Sequence, residues 1–379
     1  MRIAQIAPPW VAVPPTGYGG IERIISQLTE ELVRRGHEVT LFATGDSKTS
    51  ATLSSYYKQA IGNDGYKKGN AFTTLLHTFP AFARASSFDI IHSHDPMTVF
   101  FGALIKTPIV HTIHGTLVEG EIDEGKRQAY QLCSHLPFAS ISNNQRKGLP
   151  ELTYVSTVYN GIDMNEFTYS DKKGTYLAWF GRITPKKGVV EAIRVARKVG
   201  IPLKIAAVID PIDQQFFDRF VKPEIDNATV HFIGELTGKD RSEFLKNALA
   251  LLFPIRWHEP FGLVMIESMA CGTPVIATNF GSTSEVIEDG VTGYIVEGSV
   301  WDTRQPISNW QQDDVGIITM EKALRNLLSL DEESYKAMRK ACRDRVERLF
   351  TVSSMVDGYE KVYKHVIARE KYGNTNGHA

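Results

Sequence analysis

Short apolar runs alternate with segments of helical period, and this alternation passes through the chain twice. Residues 3–7, 39–43, 89–93, 108–112, 138–142 and 154–158 read as buried strands. Between the first two, Ile21, Ile24, Ile25, Leu28 and Leu32 share one helical face, and Gly36 ends that helix. After a polar stretch at residues 169–174 the pattern starts again, with strands expected at 177–180, 203–209, 230–233, 250–253 and 275–277. Strands that alternate with helices pair in parallel and bury both faces of their sheet. The expectation is therefore an α/β fold with two Rossmann-like domains, which also suits a length of 379 residues. Near Val352 a last helix begins, with Met355, Tyr359, Val362, Tyr363 and Val366 on one face, and residues 374–379 read as a frayed tail.

The chemistry concentrates in Trp257-His258-Glu259-Pro260-Phe261-Gly262-Leu263-Val264-Met265-Ile266-Glu267. Glu259 precedes a Pro-Phe-Gly turn. Glu267 lies inside the helix that the turn opens, expected from about Gly262 to Cys271 because Gly272 and Pro274 stop it. Eight residues of mostly helical rise span roughly 12 Å, about the separation of the sugar and the ribose in a nucleotide sugar. The helix N-terminus lies between the two carboxylates, and its outward N–H groups suit a diphosphate. For either glutamate alone a solvated surface position is the plainer reading. Against it, Glu267 sits among Leu263, Val264, Met265, Ile266, Met269 and Ala270, an apolar setting in which a carboxylate needs a partner or a ligand.

A second constellation lies upstream. The strand ending at Phe180 runs into Gly181-Arg182-Ile183-Thr184-Pro185-Lys186-Lys187-Gly188, and a helical segment, 189–199, follows. Arg182 thus falls at the carboxyl end of a strand and Lys187 just before a helix, where open α/β sheets bind ligands. Two cations there suit a diphosphate leaving group. A basic loop with solvated charges is the alternative.

Together these residues carry a resemblance. Gly181-Arg182 with Lys187-Gly188, Glu259-Pro260-Phe261-Gly262, Glu267, and Ala270-Cys271-Gly272-Thr273-Pro274-Val275 resemble the retaining GT-B glycosyltransferases of family 4. Val158-Tyr159-Asn160-Gly161-Ile162-Asp163 with Phe167 resembles that family's interdomain linker. Gly281, Glu285-Val286-Ile287, Asp289-Gly290 and Gly293 resemble the segment after its donor-site helix. The resemblance spans nearly the whole chain. It implies an N-terminal domain at 1–165 on the acceptor side, completed by a helix at 352–373, and a donor domain at 170–351, with a cleft between them. It also implies transfer of a glycosyl group from a nucleotide diphosphate sugar to an acceptor hydroxyl, with retention at the anomeric carbon. Arg182, Lys187 and the backbone of Phe261, Gly262 and Leu263 would hold the diphosphate, Glu259 the sugar, and Glu267 the ribose. His114, in a Thr-x-His that matches the family, would contact the transferred sugar. Gly19 and Gly20, in Gly17-Tyr18-Gly19-Gly20, would line the cleft, and Tyr18 would touch the acceptor. UDP-glucose is weakly favoured as donor; the acceptor, whether small molecule, glycan or lipid-linked, is open.

Composition sets limits. Net charge is −1, so no general field draws the chain to nucleic acid. Cys133, Cys271 and Cys342 are far apart and read as reduced, buried thiols. The expected location is cytoplasmic, because no signal-peptide pattern opens the chain and no apolar run reaches the ~18 residues of a membrane helix. Peripheral membrane contact stays open. No Asp-x-Asp occurs, which agrees with a cofactor-free strategy in which cations and a helix N-terminus replace a metal. Two enzyme alternatives remain. One is a nucleotide-sugar epimerase of the same fold. The other is a metal-dependent hydrolase built on the His-x-His of His92 and His94, although third and fourth ligands at recognisable spacing are missing. Otherwise His92 and His111 read as histidines satisfied at a sheet edge. Residues 301–314, with two tryptophans, have no functional reading.

Overall fold

The computed structural model describes residues 1–62, 71–302 and 304–373. The expected tail at 374–379 lies outside them. The chain divides into two compact units, Met1–Gly161 with Val352–Ala379, and Ile162–Thr351.

In the first unit, β1 (Arg2–Ile6), β2 (Glu38–Phe42), β3 (Thr52–Ser54), β4 (Ile90–Ser93), β5 (Ile109–Thr112), β6 (Phe138–Ser140) and β7 (Tyr154–Thr157) form one sheet in the order 3-2-1-4-5-6-7. In the second, β8 (Tyr176–Arg182), β9 (Leu203–Val208), β10 (Val230–Gly234), β11 (Ala248–Phe253), β12 (Val275–Thr278) and β13 (Gly293–Val296) are ordered 10-9-8-11-12-13. Every pairing is parallel. Parallel strands buried on both faces read as continuous apolar runs, as in the fully buried Ala-Leu-Ala-Leu-Leu-Phe of β11.

The helices that bear on the site are α1 (Gly20–Arg34), α2 (Val189–Val199), α3 (Gly238–Lys246), α4 (Leu263–Ala270), α5 (Asp314–Leu328), α6 (Glu332–Leu349) and α7 (Val352–Gly373). In α7 the expected face of Met355, Tyr359, Val362, Tyr363 and Val366 is buried. That helix packs on α1, β5 and β7, so the chain's last element belongs to its first unit.

Two strands escape the pattern. β3 is three residues of mostly polar Thr-Leu-Ser at a sheet edge, and β13 opens on a glycine. The strand expected at 138–142 stops at Ser140, because the Ser142 hydroxyl accepts from Gln145 N–H and caps the next turn. His92 and His111 are not at a sheet edge: β4 and β5 each have a neighbour on both sides. They sit mid-sheet because short Ile-Ile-His-Ser and Ile-Val-His-Thr runs still pair along both edges. Residues 301–314 turn out to be structural in part. Trp310 is buried, its ring centroid 5.3 Å from Phe216 and 4.7 Å from Phe220. The Asp313 carboxylate accepts from Gly316 N–H at 3.0 Å and caps α5.

Candidate active site

In the second sheet the strand order reverses between β8 and β11, and ligands of open α/β sheets bind outside the carboxyl ends of strands at such a point. The two constellations seen in the sequence leave the sheet there, one from β8 and one from β11.

Their approach depends on glycine. Gly188 has φ +68°, and a Cβ on it would lie 1.8 Å from the Pro254 carbonyl oxygen. Only a residue without a side chain lets the turn after β8 rest on the chain leaving β11. Arg256 N–H then donates to the Lys186 carbonyl at 2.7 Å and ties the two loops together.

This contact pairs residues whose expected tasks were separate. Lys187 Nζ donates to Glu259 Oε2 at 2.5 Å, and Trp257 Nε1 donates to the same oxygen at 2.9 Å. The ammonium also lies 5.0 Å from the Trp257 ring centroid and 5.8 Å from that of Phe253. Glu259 is buried, and its Oε1 accepts nothing among the described residues. Behind it, Ser282 N–H donates to the Glu259 carbonyl at 2.9 Å and Ser282 Oγ to the Phe261 carbonyl at 2.7 Å. Gly281, at φ +61°, permits this backing, since its Cβ would sit 2.1 Å from that Glu259 carbonyl.

Arg182 is held more loosely. It lies 3.8 Å from Asp210 Oδ2 and 3.7 Å from Asp213 Oδ2, within ion-pair but beyond hydrogen-bond range. Burial pushes the Asp213 carboxyl up, and Arg182 opposes the rise. The side chain is 40% exposed and makes no hydrogen bond among the described residues.

Helix α4 starts where these groups converge. Gly262 is its N-cap, no side chain caps it, and no carboxylate lies in its first turn. The first N–H groups of a helix lack internal acceptors and carry the positive end of its dipole.

Glu267 is buried on α4, and it has a partner the sequence did not reveal. Arg241 on α3 places Nη1 3.1 Å from Glu267 Oε1, donates through Nη2 to Glu166 Oε2 at 3.1 Å, and lies over the Phe167 ring. An arginine in a short charged helix gives no sequence signal of burial. Arg256, in the loop after β11, was missed as well, because a loop arginine bound for burial looks like a solvated one. It donates to Glu191 Oε1 at 3.1 Å and to the Gln311 carbonyl at 2.5 Å, and Asp313 N–H reaches the same Glu191 oxygen. Burial raises the Glu191 carboxyl, with Arg256 acting against it. This cluster braces the loop that carries Glu259, and it employs the segment 301–314.

The other expected residues lie in the first unit. Gly19 is the N-cap of α1 and Gly20 its first residue; Tyr18 is exposed. His92, His94 and His114 form a hydrogen-bonded cluster. His92 Nδ1 meets Tyr363 Oη and its Nε2 meets Thr112 Oγ1, both at 2.7 Å. His94 Nδ1 meets His114 Nε2 at 2.8 Å, and His94 Nε2 meets Gln5 Oε1 at 3.0 Å. Both ring nitrogens of His92 and of His94 are thus engaged by protein groups, which leaves neither lone pair open for the metal of the hydrolase alternative. Among the described residues no three or more His, Cys, Asp or Glu side chains gather as a metal site. Desolvation holds His114 down to about 4 and His92 and His94 well below the usual histidine range. All three cysteines are buried and unpaired, and no described helix is long and apolar enough to cross a membrane.

Two doubly wound parallel sheets, one with a cationic site at its switch point, define a protein of two Rossmann-like units. The sucrose-phosphate synthase of Thermosynechococcus elongatus has the same fold, with a TM-score of 0.77 at 19% identity over 97% of this chain and 99% of that one. Anabaena Alr3699/HepE, solved in complex with UDP and glucose, superposes with a TM-score of 0.71 at 16% identity over 96% and 100%. The architecture is GT-B. The sequence profile of Glycosyltransferase Family 4 matches residues 18–166, and that of Glycosyl transferases group 1 matches 164–304. An uncharacterized glycosyltransferase of Methanocaldococcus jannaschii, MJ1607, is 26% identical over 357 residues, covering 82% of this chain and 90% of the relative. The chain belongs to the group 1 glycosyltransferases of the GT-B fold and is a glycosyltransferase enzyme.

Proposed function

We propose that the enzyme transfers a glycosyl group from a nucleotide diphosphate sugar to an acceptor hydroxyl, with anomeric retention and without a metal or other cofactor. One observation carries this reading. Arg182, Lys187 and the uncapped N-terminus of α4 converge at the switch point of the second sheet, beside the open Oε1 of Glu259. Two cations and a helix N-terminus suit a diphosphate on which negative charge builds as it departs. Glu259 Oε1 is the acceptor for a sugar hydroxyl. Lys187 holds the other oxygen and so orients the carboxylate. Glu267 takes the ribose hydroxyls while Arg241 fixes its side chain. His114 is assigned to the transferred sugar, and Gly19, Gly20 and Tyr18 to the acceptor side, on the motif resemblance.

In the reaction so read, the bond from the anomeric carbon to the phosphate oxygen breaks. A bond to the acceptor oxygen forms on the same face, the acceptor's proton passes to the departing phosphate, and no protein nucleophile takes part. The complex of HepE with UDP and glucose makes UDP-glucose the first donor to try. The acceptor is left open.

The test is a screen of nucleotide sugars for thermal stabilisation and for release of nucleoside diphosphate, with and without excess EDTA. Stabilisation by one donor and its turnover in EDTA are expected, with an α-configured product by proton NMR from an α-configured donor. Turnover abolished by EDTA and restored by a divalent cation would reject the metal-free reading. An epimerised free sugar as sole product would favour the epimerase.

A further inference from the structure

The histidine cluster of the first unit has a direction. Gln5 Nε2 donates to Tyr363 Oη at 2.9 Å, so the tyrosine's own proton points to His92 Nδ1. His92 is then protonated on Nε2 and donates to Thr112 Oγ1, whose proton turns to Tyr359 Oη at 3.1 Å. The same amide orientation leaves Gln5 Oε1 as an acceptor. It takes the proton of His94 Nε2, which makes His94 Nδ1 a bare lone pair facing His114 Nε2 at 2.8 Å. A neutral imidazole has one donor and one acceptor nitrogen, so each link dictates the next. Gln5, His92 and His94 are buried, and every polar side-chain atom of the three is taken up within this network by one another, Tyr363, Thr112 or His114. His114 is half-buried, and its Nδ1 meets no group among the described residues.

We propose that His94, oriented by Gln5, is a positioning residue that locks His114 in its Nε2–H tautomer and so presents His114 Nδ1 as a hydrogen-bond acceptor to the substrate. The functional half of this inference rests on the reading of His114 as a contact to the transferred sugar. An acceptor nitrogen accepts a hydrogen bond from a sugar hydroxyl, and its lone pair faces positive charge that develops on the ring. The opposite tautomer offers an N–H, which repels that charge. Turning the Gln5 amide over would reverse every link and give His114 that wrong tautomer. His94 thereby selects between the two without touching substrate.

The tautomers are readable by long-range proton–nitrogen correlation NMR on protein labelled at histidine nitrogen, which needs no donor. The wild type should show His114 protonated on Nε2. Two substitutions divide the contacts of His94. In His94→Asn the amide oxygen occupies the place of Nδ1 and still accepts from His114. In His94→Gln the amide nitrogen keeps the Gln5 contact and the acceptor is lost. The Asn variant should keep the His114 tautomer and turn over UDP-glucose within about threefold of wild type. The Gln variant should mix the tautomers and lose about tenfold in kcat, the scale of one hydrogen bond, with little change in KM for UDP-glucose. A wild-type His114 protonated on Nδ1, or equal behaviour of the two variants, overturns the positioning role. If the wild type shows His114 protonated on Nε2 while His114→Ala turns over at the wild-type rate, the sugar contact is overturned instead and the tautomer lock stands.

Discussion

Lys187 and Glu259 are separated by 72 positions, yet one hydrogen bond joins them, and that bond shapes what their substitutions should do. Replacing Lys187 by Ala removes a charge from the proposed diphosphate site and also frees Glu259 Oε2 to swing. Arg182 has only long ion pairs to lose. Arg182→Ala should therefore lower kcat by roughly 10²–10³, as for one lost oxyanion donor, and leave thermal stability near wild type. Lys187→Ala should lower kcat at least as much and raise KM for the donor too. Turnover near wild type in both variants would remove them from the leaving-group site. The glutamates should behave oppositely. Glu259→Gln is expected to spare affinity for free UDP and to cut turnover of the donor. Glu267→Gln should weaken UDP and intact donor alike. It should also destabilise the fold, by about 2 kcal/mol, because the buried Arg241 then keeps only one of its two carboxylates, that of Glu166. Calorimetry with UDP, beside a melting curve, separates the two effects; equal loss of UDP affinity in both variants means the sugar has been misplaced.

Elements position these residues through their ends. The loops after β8 and β11 meet because Gly188 and Gly281 let backbone approach backbone, and the first turn of α4 carries no carboxylate of its own. Gly281→Ala should drive a methyl into the Glu259 carbonyl, shift the carboxylate and lower kcat by at least tenfold. Gly290→Ala is the matched control. Its φ is +75°, close to that of Gly281, but a Cβ there meets nothing within 4 Å. It should cost only the backbone strain of about 1 kcal/mol and leave kcat unchanged. If the two variants melt and turn over alike, crowding against Glu259 has no part in catalysis. Much of this scale was legible in sequence. Gly188, Gly262, Gly281 and Pro274 punctuate the chain where loops turn, and the apolar periods found α1, α2, α4 and α7. The edge strand β3 was not legible, because its three mostly polar residues carry no period.

The two units should respond differently to acid. In the first, burial lowers the histidines: His77 from 6.5 to about 4, His111 to about 3, His114 to about 4, and His92 and His94 well below their usual range. The unfolded chain binds more protons than the folded one between about pH 6.5 and 4. Histidine-linked stability is therefore complete above 6.5 and is lost as pH falls through that window. For His77 alone the drop is worth on the order of 3 kcal/mol. Asp95 works the other way, since desolvation raises it to about 6, but it is one group against five. In the second unit burial raises Glu191 and Asp213, and carboxyls so raised favour the folded state as pH falls. Hydrogen exchange compared at pH 7 and pH 5, after correction for intrinsic rates, should show protection lost first in β4, β5 and α7. Equal loss in β8 and β11 would mean the buried histidines do not control acid stability.

The sequence by itself determined the α/β class, the two passes of strand and helix, the presence of Arg182, Lys187 and Glu259 at strand ends and before helices, and that of Glu267 inside a helix. These follow from periods of two and 3.6 residues and from glycine and proline chemistry, all set by near neighbours. Tertiary structure alone decided who meets whom. Lys187 pairs with Glu259, Arg241 with Glu267, Arg256 with Glu191, and His94 with His114. Each partner is brought in by strand order or by packing between helices, and a charged residue bound for burial carries the same local pattern as one bound for solvent. Periodicity reports which face of an element is buried; the groups waiting there belong to other elements, and only the assembled fold puts these pairs within 3.1 Å.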